Sequence, residues 1–271
     1  MNKSSLDILV LNRNLRDVTD SLVSTLEIQS GVNSVGVIDA GSTSDQVSKH
    51  TVVQDFSVEA MSFGLRLNRG FNLGISWWAH QTHGSNFLLL LPNDAELETF
   101  DALNLFDSIS NLSNRIDVAA VIPLSQDSPY RHILPKDRVG LGWSFNEGPV
   151  LLSRKFIEFM LRCGADVFDS DNFRGYLSFV ELALKVYANN FALLATDFLS
   201  FRENESHLQN HYDLIITEQA QENARLLLME GSAWLAKKYG VLDGISFENI
   251  VRLVFESVME RHPELKHLRL R

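Results

Sequence analysis

The chain has 271 residues, enough for one large domain or a domain with a small appendage, and 45% hydrophobic with 21% charged residues can build a sizeable core. A formal net charge of −10 argues against a nucleic acid partner, whose phosphates need clustered Lys and Arg, but leaves room for a nucleotide held by a few cations or a metal. The single cysteine, Cys163, excludes an intramolecular disulfide and a thiolate zinc cluster. The opening "MNKSSLDILVLNRN" has no signal-peptide core and no apolar run is long enough to span a bilayer, so a cytoplasmic protein is expected.

In chain order, "LDILVL" (6–11) reads as a buried strand. "DVTDSLVSTLEIQ" follows as a helix with Val18, Leu22 and Leu26 on one face. "SVGVID" (34–39) is a second strand ending in the turn-forming "DAGSTSD", and "TVVQDF" a short third. "RGFNLGISWWAHQTHG" has helical spacing at Leu73, Trp77 and Gln81, with Gly84 as its end; Trp77 and Trp78 read as packing residues. "NFLLLL" shows no polar alternation, so both of its faces should be covered. "FDALNLFDSIS" is a helix and "DVAAVIPL" a strand. The long loop "SQDSPYRHILPKDRVGLGWSFNEG" (125–148) is of a length that is functional or disordered. "PVLLSRKFIEFMLRCG" runs from strand to helix, "YLSFVELALKVYANN" is a helix, and "FALLAT" a strand.

From about His207 only helices are expected. In the last, Ile250, Val254 and Val258 form a stripe beside Val251, Phe255 and Met259, with Ser246 as N-cap. The basic tail "RHPELKHLRLR" has two readings, a contact with anionic lipid or a partner, or a solvated, frayed end; the frayed end is the expectation, as for most chain termini. Strands alternating with helices imply an α/β fold with a mostly parallel central sheet flanked by helices, spanning 1–215, and a helical C-terminal extension over 216–271. Ligands of such sheets bind beyond the carboxyl ends of the strands, where the loops 11–13, 39–45 and 92–96 are all polar.

Asp39 ends a strand, either to accept hydrogen bonds from a base or sugar or to cap its own turn; spacing favours the cap. Asp94, after the leucine strand, suits Mg²⁺ or Mn²⁺ shared with phosphates, or else caps a helix whose first turn holds Glu96 and Glu98. His80/His83 and His207/His211 have metal-compatible spacing without any accompanying HExxH pattern, and chance explains them in a chain with 8 histidines.

Taken in order, "LDILVLNRNLRDVTDSLVSTLEIQS…VGVIDAGSTSD", "RGFNLGIS", "FLLLLPNDAEL", "EGPVLLSRKFIEFM" and "ENARLLLMEGSAWLAKKYG" resemble family 2 glycosyltransferases of the GT-A fold over roughly residues 6–240. The resemblance implies an inverting transferase that moves a sugar from a nucleotide-diphosphate donor to a glycan or lipid-linked acceptor in cell-surface polysaccharide synthesis, with Mn or Mg as cofactor. Asn12 and Asp39 would lie against the nucleobase, Asn72 at the donor, and Asp94 at the metal and diphosphate. Two departures stand out. Where the family has a Glu-Asp pair containing its base, this chain has Ser178-Phe179, leaving Glu181, Asp171 or Asp169 as substitutes, with a surface helix position as the plain alternative for Glu181. Where the family often has a metal-binding His four residues before a Ser, "RENES" places Arg202, which cannot ligate a metal and would contact the diphosphate directly, leaving the metal weak or dispensable. A non-catalytic nucleotide-sugar binder that partners an active transferase is the alternative.

Overall fold

A computed structural model describes residues 5–81, 85–146, 148–204 and 220–270. Eight strands form the central sheet: β1 (Leu6–Asn12), β2 (Val32–Asp39), β3 (Thr51–Gln54), β4 (Phe87–Pro92), β6 (Asp117–Pro123), β7 (Val139–Leu141), β8 (Val150–Ser153) and β9 (Phe191–Thr196), in the order β3-β2-β1-β4-β8-β6-β9-β7. Only β8 and β7 run against the others, so the sheet is mostly parallel. The helices are α1 (Arg16–Glu27), α2 (Val58–Phe63), α3 (Arg66–Ala79), α4 (Ala102–Leu112), α5 (Arg154–Arg162), α6 (Ser178–Ala188), α7 (Ala220–Tyr239) and α8 (Gly244–Arg261). A separate two-stranded ribbon pairs β5 (Ala95–Phe100) with β10 (Leu199–Glu203).

The uniform apolarity of β4 has its reason in the sheet centre, where Leu88 to Leu91 are all fully buried between β1 and β8. Each such leucine contributes about 1.5–3 kcal/mol of burial. The helix α3 approaches β1 and β2 so closely that a Cβ on Gly74 would come within 2.3 Å of Ile38 Cδ1. That approach selects Asn68, Phe71, Ile75 and Trp78 as the buried face, rotated around the helix from the expected one: Leu73 and Trp77 are half-buried and Gln81 is exposed. Trp78 is core, its Nε1 donating to Asp7 Oδ2 at 2.8 Å. The helix ends at Ala79; Gly84 lies outside the described residues.

Three local expectations are corrected. Glu96 and Glu98 lie on strand β5, because β10 offers residues 95–100 an antiparallel partner that no local pattern announces. The N-cap of α8 is Asp243, whose side chain accepts from Ser246 N at 2.8 Å, and its buried stripe is Phe247, Val251, Phe255, Val258 and Met259, with Ile250 38% exposed. The tail is not frayed through residue 270. Leu265, Leu268 and Leu270 are buried, Leu270 N donates to Leu141 O at 2.9 Å, and Arg269 pairs with Glu256. Trp234, Leu235 and the buried residues of α8 join the same apolar core as the sheet.

Candidate functional site

The register of the parallel strands sets Asn12 beside Asp39 and Leu11 beside Pro92 at one carboxyl edge. Asn12 is fully buried. Its amide donates to Asp39 Oδ2 at 3.0 Å, Ser42 Oγ at 3.3 Å and Gln46 O at 3.1 Å. Its carbonyl accepts from Leu15 N at 3.2 Å, Thr19 Oγ1 at 2.9 Å and Asn93 Nδ2 at 3.3 Å. Asp39 is 1% exposed and also accepts from Ser42 N at 2.8 Å. A buried polar network satisfied to this degree rigidifies what it joins. Here it joins the three polar loops of the edge, so Asn12 and Asp39 shape that edge from beneath.

Asp94 follows, half-buried, with its main-chain oxygen accepting from Asn204 N at 2.9 Å. The β5–β10 ribbon sets Glu203 opposite Ala95 and Arg202 opposite Glu96. Arg202 pairs with the Glu96 carboxylate, which also accepts from Asn204; that hydrogen bond and charge hold the guanidinium above its ordinary pKa range. The Arg202 side chain is 59% exposed, so a cation faces solvent on the ribbon that follows Asp94. Ser206 of the "RENES" stretch lies outside the described residues, as do His83, His207 and His211, while the exposed His80 ring is 2.6 Å from Ser76 O. Among the described residues no group of three or more His, Cys, Asp or Glu could hold a metal ion. With Asn93 turned toward Asn12, Asp94 supplies one carboxylate. That set fits Mg²⁺ or Mn²⁺ that takes its remaining ligands from phosphate oxygens and water.

Asn72 lies elsewhere. Its amide donates to Phe168 O and to Ser170 Oγ at 3.0 Å, and its carbonyl accepts from Phe168 N at 3.2 Å. Asn68 donates to Asp169 O at 3.1 Å and Asn172 O at 3.0 Å, and Arg69 Nε to Ser170 O at 3.0 Å. One face of α3 therefore clamps the loop that carries the candidate bases, and the Asn72 amide is occupied there.

The clamped loop presents Asp169 and Asp171 to α7. Asp169 Oδ2 accepts from Trp234 Nε1 at 2.8 Å and from Lys238, while the exposed Asp171 meets Lys237 at 3.2 Å. Burial by itself would raise the Asp169 carboxyl, but the hydrogen bonds from Lys238 and Trp234 more than offset it and the net shift is downward. Glu181 is a core residue with no exposure, which corrects the surface reading. Its Oε1 accepts from Lys238 Nζ and from Tyr239 OH, both at 2.7 Å, and Lys185 Nζ lies 3.2 Å from Oε2. Burial pushes the Lys185 ammonium down, with Glu181 partly restoring it; burial also pushes the Tyr239 phenol up, helped by the Glu181 charge.

Ser178 and Phe179, in the place of the Glu-Asp pair, are each 1% exposed. The segment just before them packs against α7. Arg174 reaches Glu230 at 2.9 Å and Asn223 at 2.7 Å, and the Tyr176 ring fills a notch where a Cβ on Gly231 would come within 2.3 Å.

An open cleft of about 520 Å³ lies at the same sheet edge, between the end of β6, the approach to β8 and the Phe201–Glu203 wall of β10. Asp127, Ser128, Tyr130, Phe145 and Asn146 line it, with the Tyr130 and Phe145 rings edge to face at 5.5 Å. None of these residues stood out in the sequence; their only signal was the length of the loop 125–148.

No protein-family model and no curated protein sequence matches the chain. Solved structures do. One is GalNAc-T7 with UDP, GalNAc and Mn²⁺, at TM-score 0.56 and 13% identity, over 99% of this chain and 59% of that one. Another is a mannosyltransferase from Pyrobaculum calidifontis with GDP-Man and Mn²⁺, at 0.51 and 12%, over 97% of this chain and 76% of that one. A third is glucosyl-3-phosphoglycerate synthase from Mycobacterium tuberculosis with Mn²⁺, UDP-glucose and phosphoglyceric acid, at 0.50 and 12%, over 89% and 81%. The chain thus spans 59% of the GalNAc-T7 chain it matches. At these identities the likeness is one of architecture, and the chain has the GT-A fold.

Proposed function

We propose that this protein is a glycosyltransferase that uses a nucleotide-diphosphate sugar. The observation that carries the reading is that Asp94 follows β4 at the carboxyl edge of the sheet, while the ribbon that begins at Ala95 carries Arg202, paired with Glu96, on the wall of the open cleft. An acidic and a cationic side chain beside an open cleft suit a diphosphate leaving group. Three GT-A structures that carry UDP, GDP-Man or UDP-glucose support the donor class. Asp94 would hold Mg²⁺ or Mn²⁺, which offsets charge on the departing diphosphate. Arg202 would take the phosphate oxygens directly, exchanging part of its pairing with Glu96 for the ligand. Asn12 and Asp39 would act through the nucleobase loop, whose shape they set.

The reaction is a single displacement with inversion at the sugar, the acceptor being a glycan or lipid-linked hydroxyl of the cell surface. In this reading residues 1–215 are the catalytic unit and 216–271 an extension that braces it through α7. The second reading, a nucleotide-sugar binder that partners an active transferase, is favoured by one observation: Asp169 and Glu181 are held by Lys238, and the first two positions of α6 are Ser178 and Phe179 rather than carboxylates.

Calorimetric titration with UDP, GDP and dTDP, followed by assays of donor hydrolysis and transfer, tests both readings. Binding with turnover supports the transferase, binding without turnover for any donor supports the binder, and no binding of any of the three nucleotides rejects both.

A further inference from the structure

The reading above needs a group to take the acceptor proton, and the described carboxylates can be sorted by what they touch. Glu181 is sealed in the core, Asp169 is held by Trp234 and Lys238, and Glu96 pairs with Arg202. Asp127 differs. It lines the cleft, it is exposed, and among the described residues its side chain makes no hydrogen bond or ion pair.

The loop that carries Asp127 is nonetheless fixed in place. Gln126 N donates to Glu98 Oε2 at 2.9 Å, and Ser200 Oγ donates to the same oxygen at 2.6 Å. Glu98 belongs to β5 and Ser200 to β10, so this loop is pinned to the ribbon that positions Asp94 and Arg202. Asp127 lies near enough to Arg202 for its charge to favour the guanidinium. The cleft beside it offers the Tyr130–Phe145 pair and the polar Ser128 and Asn146. An aromatic face with hydrogen-bonding side chains matches the C–H face and hydroxyl rim of a sugar.

We propose that Asp127 is the catalytic base, acting on a hydroxyl of a sugar acceptor seated in this cleft; the proposal rests on the transferase reading. As the acceptor oxygen bonds to C1 of the donor sugar, its proton passes to the Asp127 carboxylate. The bond from C1 to the diphosphate oxygen breaks and its electron pair leaves with the diphosphate. Asp127 then returns the proton to water. No further reactant is needed.

The test compares wild type with Asp127→Asn and Asp127→Glu. Donors are UDP-glucose, UDP-GalNAc and GDP-mannose, acceptors are methyl glucoside, methyl mannoside and water, and UDP and GDP binding is followed by calorimetry. Asp127→Asn is expected to bind nucleotide within about twofold of wild type while kcat falls about 100-fold or more. The acidic limb of the pH profile of kcat should disappear in that variant, and Asp127→Glu should recover part of the rate. Asp127→Asn turning over at the wild-type rate overturns the proposal. Wild type that binds nucleotide yet turns over none of these donors with any of these acceptors overturns the proton-transfer role alone. Wild type that binds neither UDP nor GDP overturns the transferase reading itself.

Discussion

Lys238 Nζ lies 2.7 Å from Oε1 of Glu181, joining the end of α7 to a carboxylate with no solvent exposure. The same ammonium reaches Asp169, so one side chain ties α7 both to α6 and to the loop clamped by α3. Removing one partner of a buried pair strands the other charge, at a cost of about 3–5 kcal/mol, but Lys238 is 37% exposed and water screens part of that. Lys238→Met is expected to lower unfolding stability by about 1–3 kcal/mol in urea titrations. Lys237→Met, which loses only the exposed Asp171 pair, should change it by less than about 0.5 kcal/mol.

Asp169 makes acid stability measurable. Its carboxyl titrates below the ordinary value of 3.8 in the folded protein, so its contribution is fully present above the unfolded pKa and is lost as pH falls through the folded one. The Lys238 ammonium is held above its ordinary 10.5: burial lowers it, and Glu181 and Asp169 more than compensate. Its contribution is present below that value and fades as pH rises beyond it. Urea midpoints of wild type and Asp169→Asn should therefore differ across neutral pH and converge below about pH 4. Curves that stay parallel to pH 2 would contradict the lowered carboxyl.

If Arg202 contacts the diphosphate as proposed, Arg202→Gln is expected to weaken nucleoside diphosphate binding about 10- to 100-fold, with the fold intact by circular dichroism. If Arg202 shares the diphosphate with a metal held by Asp94, EDTA should reduce transfer without abolishing it. Complete loss in EDTA, restored by Mn²⁺, would show that the cation does not share the diphosphate.

Asn12→Ala leaves Asp39 and Thr19 short of buried partners, so stability should fall by about 1–3 kcal/mol per stranded group. Nucleotide affinity should fall with it, because loop 42–46 loses its anchor. If calorimetry finds nucleotide binding unchanged in a folded Asn12→Ala protein, the loop does not form the base site.

Periodicity determined the elements of the central sheet and most of its helices. Leu88 to Leu91 could only be a strand covered on both faces, and strand–helix alternation led to the parallel sheet and to the carboxyl edge holding Asp39 and Asp94. These are local signals, carried within a dozen residues. What each carboxylate touches is not local. Glu181 looks like a surface helix residue until Lys238 and Tyr239, 57 and 58 positions later, pack over it. Glu96 looks helical until Arg202, 106 positions later, supplies the pairing strand. Burial and partnership are set by contacts between distant segments, which hydrophobic spacing does not encode. The sequence therefore located the carboxyl edge and its polar loops, and only the packing of α7 and β10 decided which acids are sealed in the core and which, like Asp127, stay exposed.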